Sequence, residues 1–405
     1  MNKAYKIKTI ALVDLYWEGH YLTYLKTFAK TLLELGCDLI VLCPQPVMLN
    51  DWIENNCPEY KKNIYVYEMS DPKLSKIEIS KIRSIINIVR RWKKTASILR
   101  NVSKETGKNP ELVFFAALDD FLEILIPTPY LNWIFPYKWS GLYLQPINFR
   151  LHKKCSFIRK GLLDRNNLFS SKLCRSVAVL DEGIITRLQK KIKSKTVSLF
   201  PDFADNSVPD IKYAVANEIR KISHGRKIVG LLGALQKRKG ILTLLNLAQK
   251  YNHEDWFFIF CGKIIKEDFT PEELNYIDTI KELSPDNCYF YNDYIPSETQ
   301  FNALVELCDV IFSVYEDFYY SSNMLAKAAY FKKWVIVNNG FCMYERVRQF
   351  QLGLSVESGD IKGCYEALRH LLNNDIDLHP NYKGYLDLHS EQRLKDAFEC
   401  ILDQQ

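Results

Sequence analysis

The chain lacks several features that its 405 residues could hold. No apolar run approaches the roughly 18–20 residues that a membrane-crossing helix needs, so an integral membrane helix is excluded. Its eleven cysteines include no C-x-x-C pair, which leaves zinc-ribbon and thioredoxin-like sites without support. Glycine is scarce, 16 in all, and this argues against a loop-dominated chain. There is no G-x-G-x-x-G, so a nicotinamide or flavin enzyme is disfavoured. Net charge is only +6 and no nucleic-acid recognition motif occurs, so nucleic acid is not expected as a partner. The first residues carry no small-residue cleavage site, and Asp14 and Glu18 follow their short apolar run at once. They read as a first strand rather than a signal peptide.

What is present is globular. Hydrophobic residues make up 47% and charged residues 25%, which excludes disordered and fibrous classes. The length favours two domains. Cysteines stand singly in apolar runs such as Val41-Leu42-Cys43, where a free thiol acts as a small hydrophobe, and this implies a reducing, cytoplasmic setting.

Strand-length apolar runs alternate with helical patterns along nearly the whole chain. Seven strands are expected in the first half, from 7–14 to 196–200, and six in the second, from 227–233 to 354–357. Helical periodicity lies between them, as in 20–35, 240–251 and 322–331. Near-continuous apolar strands separated by helices predict a parallel sheet covered on both faces, and the pattern runs twice. The polar stretch 201–215 reads as the linker. The expected fold is therefore α/β: two doubly wound Rossmann-like domains facing a cleft, 1–205 with a returning helix at 388–405, and 206–387. Ligands are expected at the carboxyl ends of the strands.

Three strand-to-helix loops carry candidate chemistry. In the first, Glu18, Gly19 and His20 precede a helix whose free N–H groups suit an anion, and His20 is either a ligand contact and proton donor or merely a helix start. In the second, Gly233 leads through Lys237, Arg238 and Lys239 to Gly240, so side-chain charge and helix dipole act together on a phosphate; alone, this could be a solvated basic turn. The third runs from Glu316 through Tyr319 to Ser321, Ser322 and Asn323, where a serine N-cap leaves N–H groups for a diphosphate. Asp119 and Asp120 follow another strand and suit acceptor binding or proton transfer, or an N-cap.

The order and spacing of these segments resemble the GT-B-fold retaining glycosyltransferases that use nucleotide sugars, the glycosyl transferases group 1 or family 4-like group. The family's G-R-x-x-x-x-K-G-like loop is matched by Gly233, Lys239 and Gly240, with Ala234 in the arginine position. A strand ending in glycine is matched at Gly262, and the segment with I-P and a later D-V at Ile295-Pro296 and Asp309-Val310. Two family glutamates align with Tyr319 and Lys327. The resemblance implies a first domain that binds the acceptor through Glu18, Gly19, His20 and Asp119. It implies a second that binds the nucleotide sugar through Gly233, Lys237, Arg238, Gly240, Glu316, Tyr319, Ser321, Ser322, Asn323 and Lys327, with Lys239, Asp119 and His20 as catalytic residues. Lys327 would replace the charge lost at Ala234.

The implied activity is transfer of a hexosyl group from a nucleoside-diphosphate sugar to an acceptor hydroxyl, with retention, in glycan or glycoconjugate synthesis. No metal and no other cofactor is expected. The implied partners are the nucleotide sugar and a carbohydrate or lipid-linked acceptor. The altered glutamates admit an alternative, a catalytically degenerate GT-B-like glycan- or partner-binding subunit of a polysaccharide assembly. Finally, residues 81–100 set Lys81, Arg83, Arg90, Arg91, Lys93, Lys94 and Arg100 among apolar residues around Trp92. This predicts either peripheral contact with an anionic membrane at its inner face or a covering helix.

Overall fold

The computed structural model describes residues 8–17, 20–72, 80–151, 163–193, 195–373 and 375–403. Thirteen strands form two parallel sheets. The first holds β1 (Thr9–Val13), β2 (Asp38–Cys43), β3 (Ile64–Glu68), β4 (Leu112–Phe115), β5 (Trp139–Tyr143), β6 (Cys174–Val179) and β7 (Thr196–Leu199). The second holds β8 (Lys227–Leu232), β9 (Trp256–Cys261), β10 (Cys288–Tyr291), β11 (Val310–Ser313), β12 (Trp334–Asn338) and β13 (Gly353–Val356). Every strand expected from the sequence is present. The chain divides into one unit of Met1–Pro201 with Ser390–Gln405 and another of Asp202–His389.

Strand order in the first sheet is β3-β2-β1-β4-β5-β6-β7, and in the second β10-β9-β8-β11-β12-β13. In both, the winding direction reverses between the first strand and the fourth, at β1/β4 and at β8/β11. The loops that follow those strands diverge there and open a crevice, the usual ligand position of a doubly wound sheet.

Both faces of each sheet are covered, which is why the strands are almost wholly apolar. In the second unit Ile228 and Leu232 enter one core while Val229 and Leu231 enter the other, the period-two alternation of a strand. In the first unit one face packs on helix Ser80–Thr106 through Trp92, Ala96, Leu99 and Val102. The terminal helix Glu391–Asp403 closes the other: Phe398 meets Phe28, Phe114 and Phe200 with ring centroids 5.5, 5.1 and 5.0 Å away.

Residues 81–100 fall in helix Ser80–Thr106, whose apolar stripe faces the sheet. Trp92 is fully buried, donates its indole N–H to the Phe121 carbonyl at 2.9 Å, and packs edge-on against Phe115, Phe121, Phe135 and Trp139. The apolar stripe therefore serves the core. Arg91 is bound by Asp71 and the Asp120 carbonyl, and Lys94 by Ser70. No helix among the described residues is long and apolar enough to cross a membrane.

Candidate functional site

At the switch point of the second unit, β8 ends at Leu232 and the chain turns through Gly233 with φ 84°, a left-handed value open to glycine. A single turn of 3-10 helix, Lys237–Lys239, then leads to Gly240 with φ 78°, which starts helix Ile241–Lys250. A Cβ at Gly240 would lie 2.6 Å from the Val314 carbonyl, so the helix start sits directly on the end of β11. The third candidate loop is joined here as well, because the Glu316 N–H donates to the Arg238 carbonyl at 2.6 Å. The two segments expected to bind an anion are thus joined by a backbone hydrogen bond.

Lys239 is the candidate cation here. A Cβ on Gly233 would come within 3.4 Å of its Nζ, and the ammonium lies 5.9 Å from the Tyr315 ring centroid. Among the described residues no carboxylate pairs with it. Burial, reinforced by the Arg238 charge, holds its pKa down to about 8. Arg238 lies over the Phe318 ring at 5.0 Å, while Lys237 is committed to Glu273 at 2.5 Å. Across the junction, Ser322 caps helix Asn323–Tyr330 by accepting the Met324 N–H at 3.4 Å. Tyr319 packs against Phe341, and burial raises the pKa of the Glu316 carboxyl.

Two of the residues expected to contact the ligand have partners within the unit. The Lys327 ammonium is buried, 5.1 Å from the Phe301 ring centroid, and donates to Asn302 at 2.6 Å, Glu298 at 2.8 Å and the Asp205 carbonyl at 3.0 Å. It tethers the segment that opens the unit. The Ser321 hydroxyl donates to Asp202 and accepts from Arg346, which removes it from the anion site.

At the switch point of the first unit, Asp14 follows β1, and Asp119 and Asp120 follow β4. The two carboxylate oxygens of Asp119 accept the backbone N–H groups of Leu144 at 2.6 Å and Gln145 at 2.9 Å, with Arg165 at 3.7 Å. Asp119 organises the loop after β5, and burial raises its pKa to about 6 against the pull of Arg165 and those N–H groups. His20 begins helix His20–Glu34, whereas Glu18, Gly19 and the His20 side chain lie outside the described residues.

Sequence reasoning passed over Asp14, Tyr315 and Asp202. An acid ending a continuous apolar strand was the available signal for Asp14. Nothing local marks Tyr315 or Asp202, whose partners lie across the unit.

Residues 215–385 match the family described as glycosyl transferases group 1. The chain is similar in structure to a glycosyltransferase from Rickettsia africae, with TM-score 0.67, 14% identity and 99% of each chain covered. It is also similar to HepE of Anabaena in complex with UDP, with TM-score 0.64 and 11% identity over 98% of this chain and 100% of that one. Sucrose-phosphate synthase from Thermosynechococcus elongatus gives TM-score 0.61 and 16% identity over 98% and 97%. No curated protein sequence matches the chain.

Proposed function

We propose that this chain, a glycosyltransferase whose second unit is a group 1 domain on the GT-B fold, moves a hexosyl group from a nucleoside-diphosphate sugar to an acceptor hydroxyl with retention. One observation carries the reading. Lys239, free of any carboxylate, lies where the helix starts at Gly240 and Ser322 are tied together by the Glu316–Arg238 backbone bond. As the donor's sugar bond breaks, negative charge grows on the departing diphosphate. A fixed ammonium and preorganised N–H groups stabilise that charge most when it is greatest. HepE has been solved with UDP and with UDP-glucose, which supports a uridine nucleotide as the first donor to try. The first unit holds the acceptor, and no metal or organic cofactor enters the scheme. Glycan or glycoconjugate synthesis in the cytoplasm is the setting this chemistry serves. Thiols buried singly in the sheets, such as those of Cys43, Cys174 and Cys261, suit a reducing compartment.

A panel of UDP-, GDP- and ADP-sugars in a thermal-shift assay tests the reading. One of them should raise Tm by mass action, and the anomer of the transferred sugar, read by NMR, should match that of the donor. No shift with the whole panel would favour the second reading, a degenerate glycan- or partner-binding subunit. That reading is favoured by Tyr319 and the committed Lys327 at the family's glutamate positions. Membrane contact, if a lipid-linked acceptor is used, falls to side chains that helix Ser80–Thr106 leaves exposed, such as Lys81, Ile82 and Arg83. Flotation with anionic liposomes checks it.

A further inference from the structure

The first unit contains a buried carboxyl that the scheme above does not use. Asp14 is 1% exposed. Its Oδ1 accepts the Tyr16 N–H at 3.0 Å, but its Oδ2 is fully buried and has no hydrogen-bond partner. A buried, unpaired carboxyl oxygen costs stability and so persists where another requirement holds it. Its position fits a requirement of binding. Asp14 directly follows β1 at the β1/β4 switch point, with Ala116 bonded back to the Val13 carbonyl at 2.9 Å beside it.

The surroundings define a ligand class. Tyr16 spans the crevice, with its N–H on Asp14 and its hydroxyl donated to Asp120 at 2.8 Å. The Tyr16 and Tyr21 rings pack on each other beside it, with centroids 4.7 Å apart and planes inclined by 38°. Burial, followed by the fields of Asp120, Asp14 and Asp119, pushes the Tyr21 phenol up to about 12. Among the described residues, two cations that meet these loops have partners: Arg91 holds Asp71 and the Asp120 carbonyl, and Arg165 holds Tyr143 and the Gln145 carbonyl. Such a site offers oxygens to hydroxyl groups and repels an anion.

Building on the glycosyl-transfer reading, we propose that Asp14, with Asp120 set beside it by Tyr16, binds the acceptor's hydroxyls and selects a neutral sugar over a phosphorylated one.

Saturation-transfer NMR tests this with the methyl glycosides of glucose, galactose, mannose and N-acetylglucosamine and with the corresponding hexose phosphates, using the full chain without nucleotide. At least one neutral glycoside should bind and the phosphates should bind more weakly. At pH 8, where the Asp14 carboxyl is ionised, Asp14→Asn should weaken the neutral sugar roughly ten- to a hundredfold, the loss of a hydrogen bond to a charged group, while calorimetric UDP affinity is unchanged. Tyr16→Phe, which frees Asp120 without touching Asp14, should weaken it less and serves if the first variant does not fold. Silence from every glycoside, tighter binding of the phosphates, or full sugar affinity in Asp14→Asn would each overturn the proposal. Sugar binding that depends on Asp14 in a chain that binds no nucleoside diphosphate would instead sink the donor assignment alone.

Discussion

A lysine whose pKa has fallen to about 8 is a poor cation at alkaline pH, and in Lys239 this has a direct consequence for ligand binding. A diphosphate beside the ammonium favours its charged form and lifts the pKa back toward the ordinary value of 10.5. Above pH 8 the protein must therefore take up a proton as the nucleotide binds, and affinity should fall by up to ~tenfold per pH unit. Calorimetry at pH 9 in two buffers of different ionisation enthalpy measures the uptake, and a value of zero would remove Lys239 from the phosphate. Lys239→Ala should cut turnover by about a hundredfold or more with Tm unchanged, because only the developing charge loses its partner. Asp14 carries the opposite sign for stability. Its carboxyl is pushed from 3.8 to about 7, first by burial and then by Asp120, against the Tyr16 and Leu15 N–H groups. The folded protein thus holds a proton that the unfolded chain has released. The resulting penalty is absent below pH 3.8, grows as pH rises, and is complete above 7, at roughly 4 kcal/mol. Asp14→Asn removes it, so the Tm of the variant should exceed that of the natural protein by a margin that widens from pH 5 to pH 8.

At the level of elements, the sequence specifies strands best, because a strand buried on both faces is a short apolar run with nothing else to resemble. The trace at 227–233 differs from β8 by one residue, the turning glycine. Helix faces are harder to assign. The stripe of 81–100 has the same composition whether it meets lipid or a sheet, and only the position of Trp92 among Phe115, Phe121, Phe135 and Trp139 decides it. The donor loops were legible for a local reason, since Gly-to-Gly spacing and a Ser-Ser-Asn start describe backbone geometry. The partners of Lys327, Ser321 and Asp119 were not, because each is fixed by contacts far away in sequence, at Asn302, Asp202 and Leu144. The packed identity of Trp92 has a test: Trp92→Ala should cost about 3–5 kcal/mol, read as a lower denaturation midpoint, whereas a lipid-facing tryptophan would change stability little. Gly240→Ala places a Cβ 2.6 Å from the Val314 carbonyl in a backbone turned to φ 78°. It should lower Tm and weaken nucleotide binding together, since the same contact holds both loops.

The whole chain is one folded unit interrupted by another: Asp202–His389 is inserted between Pro201 and Ser390. An insert folds independently most readily when its two ends meet, because little chain entropy is then spent on closing it. Here they do meet. The Asp202 N–H donates to His389 Nδ1 at 2.9 Å, and the Asp202 carboxylate is held by Arg346 at 3.2 Å and by Ser321. His389 is kept neutral by burial and then by the Arg346 charge, its pKa pressed down to about 2. A histidine of lowered pKa weakens the fold once the unfolded chain begins to bind the proton, below about pH 6.5, and increasingly as pH falls from there. The clasp should therefore loosen in mild acid, and a fragment of residues 202–389 should fold near neutral pH and lose stability below pH 6. It contains both donor loops and its own two cores on either side of the second sheet. It should accordingly bind a nucleoside diphosphate with the affinity of the full chain, while binding no acceptor sugar. Calorimetry on the fragment decides this: a cooperative fold with no nucleotide affinity would place part of the donor site outside Asp202–His389.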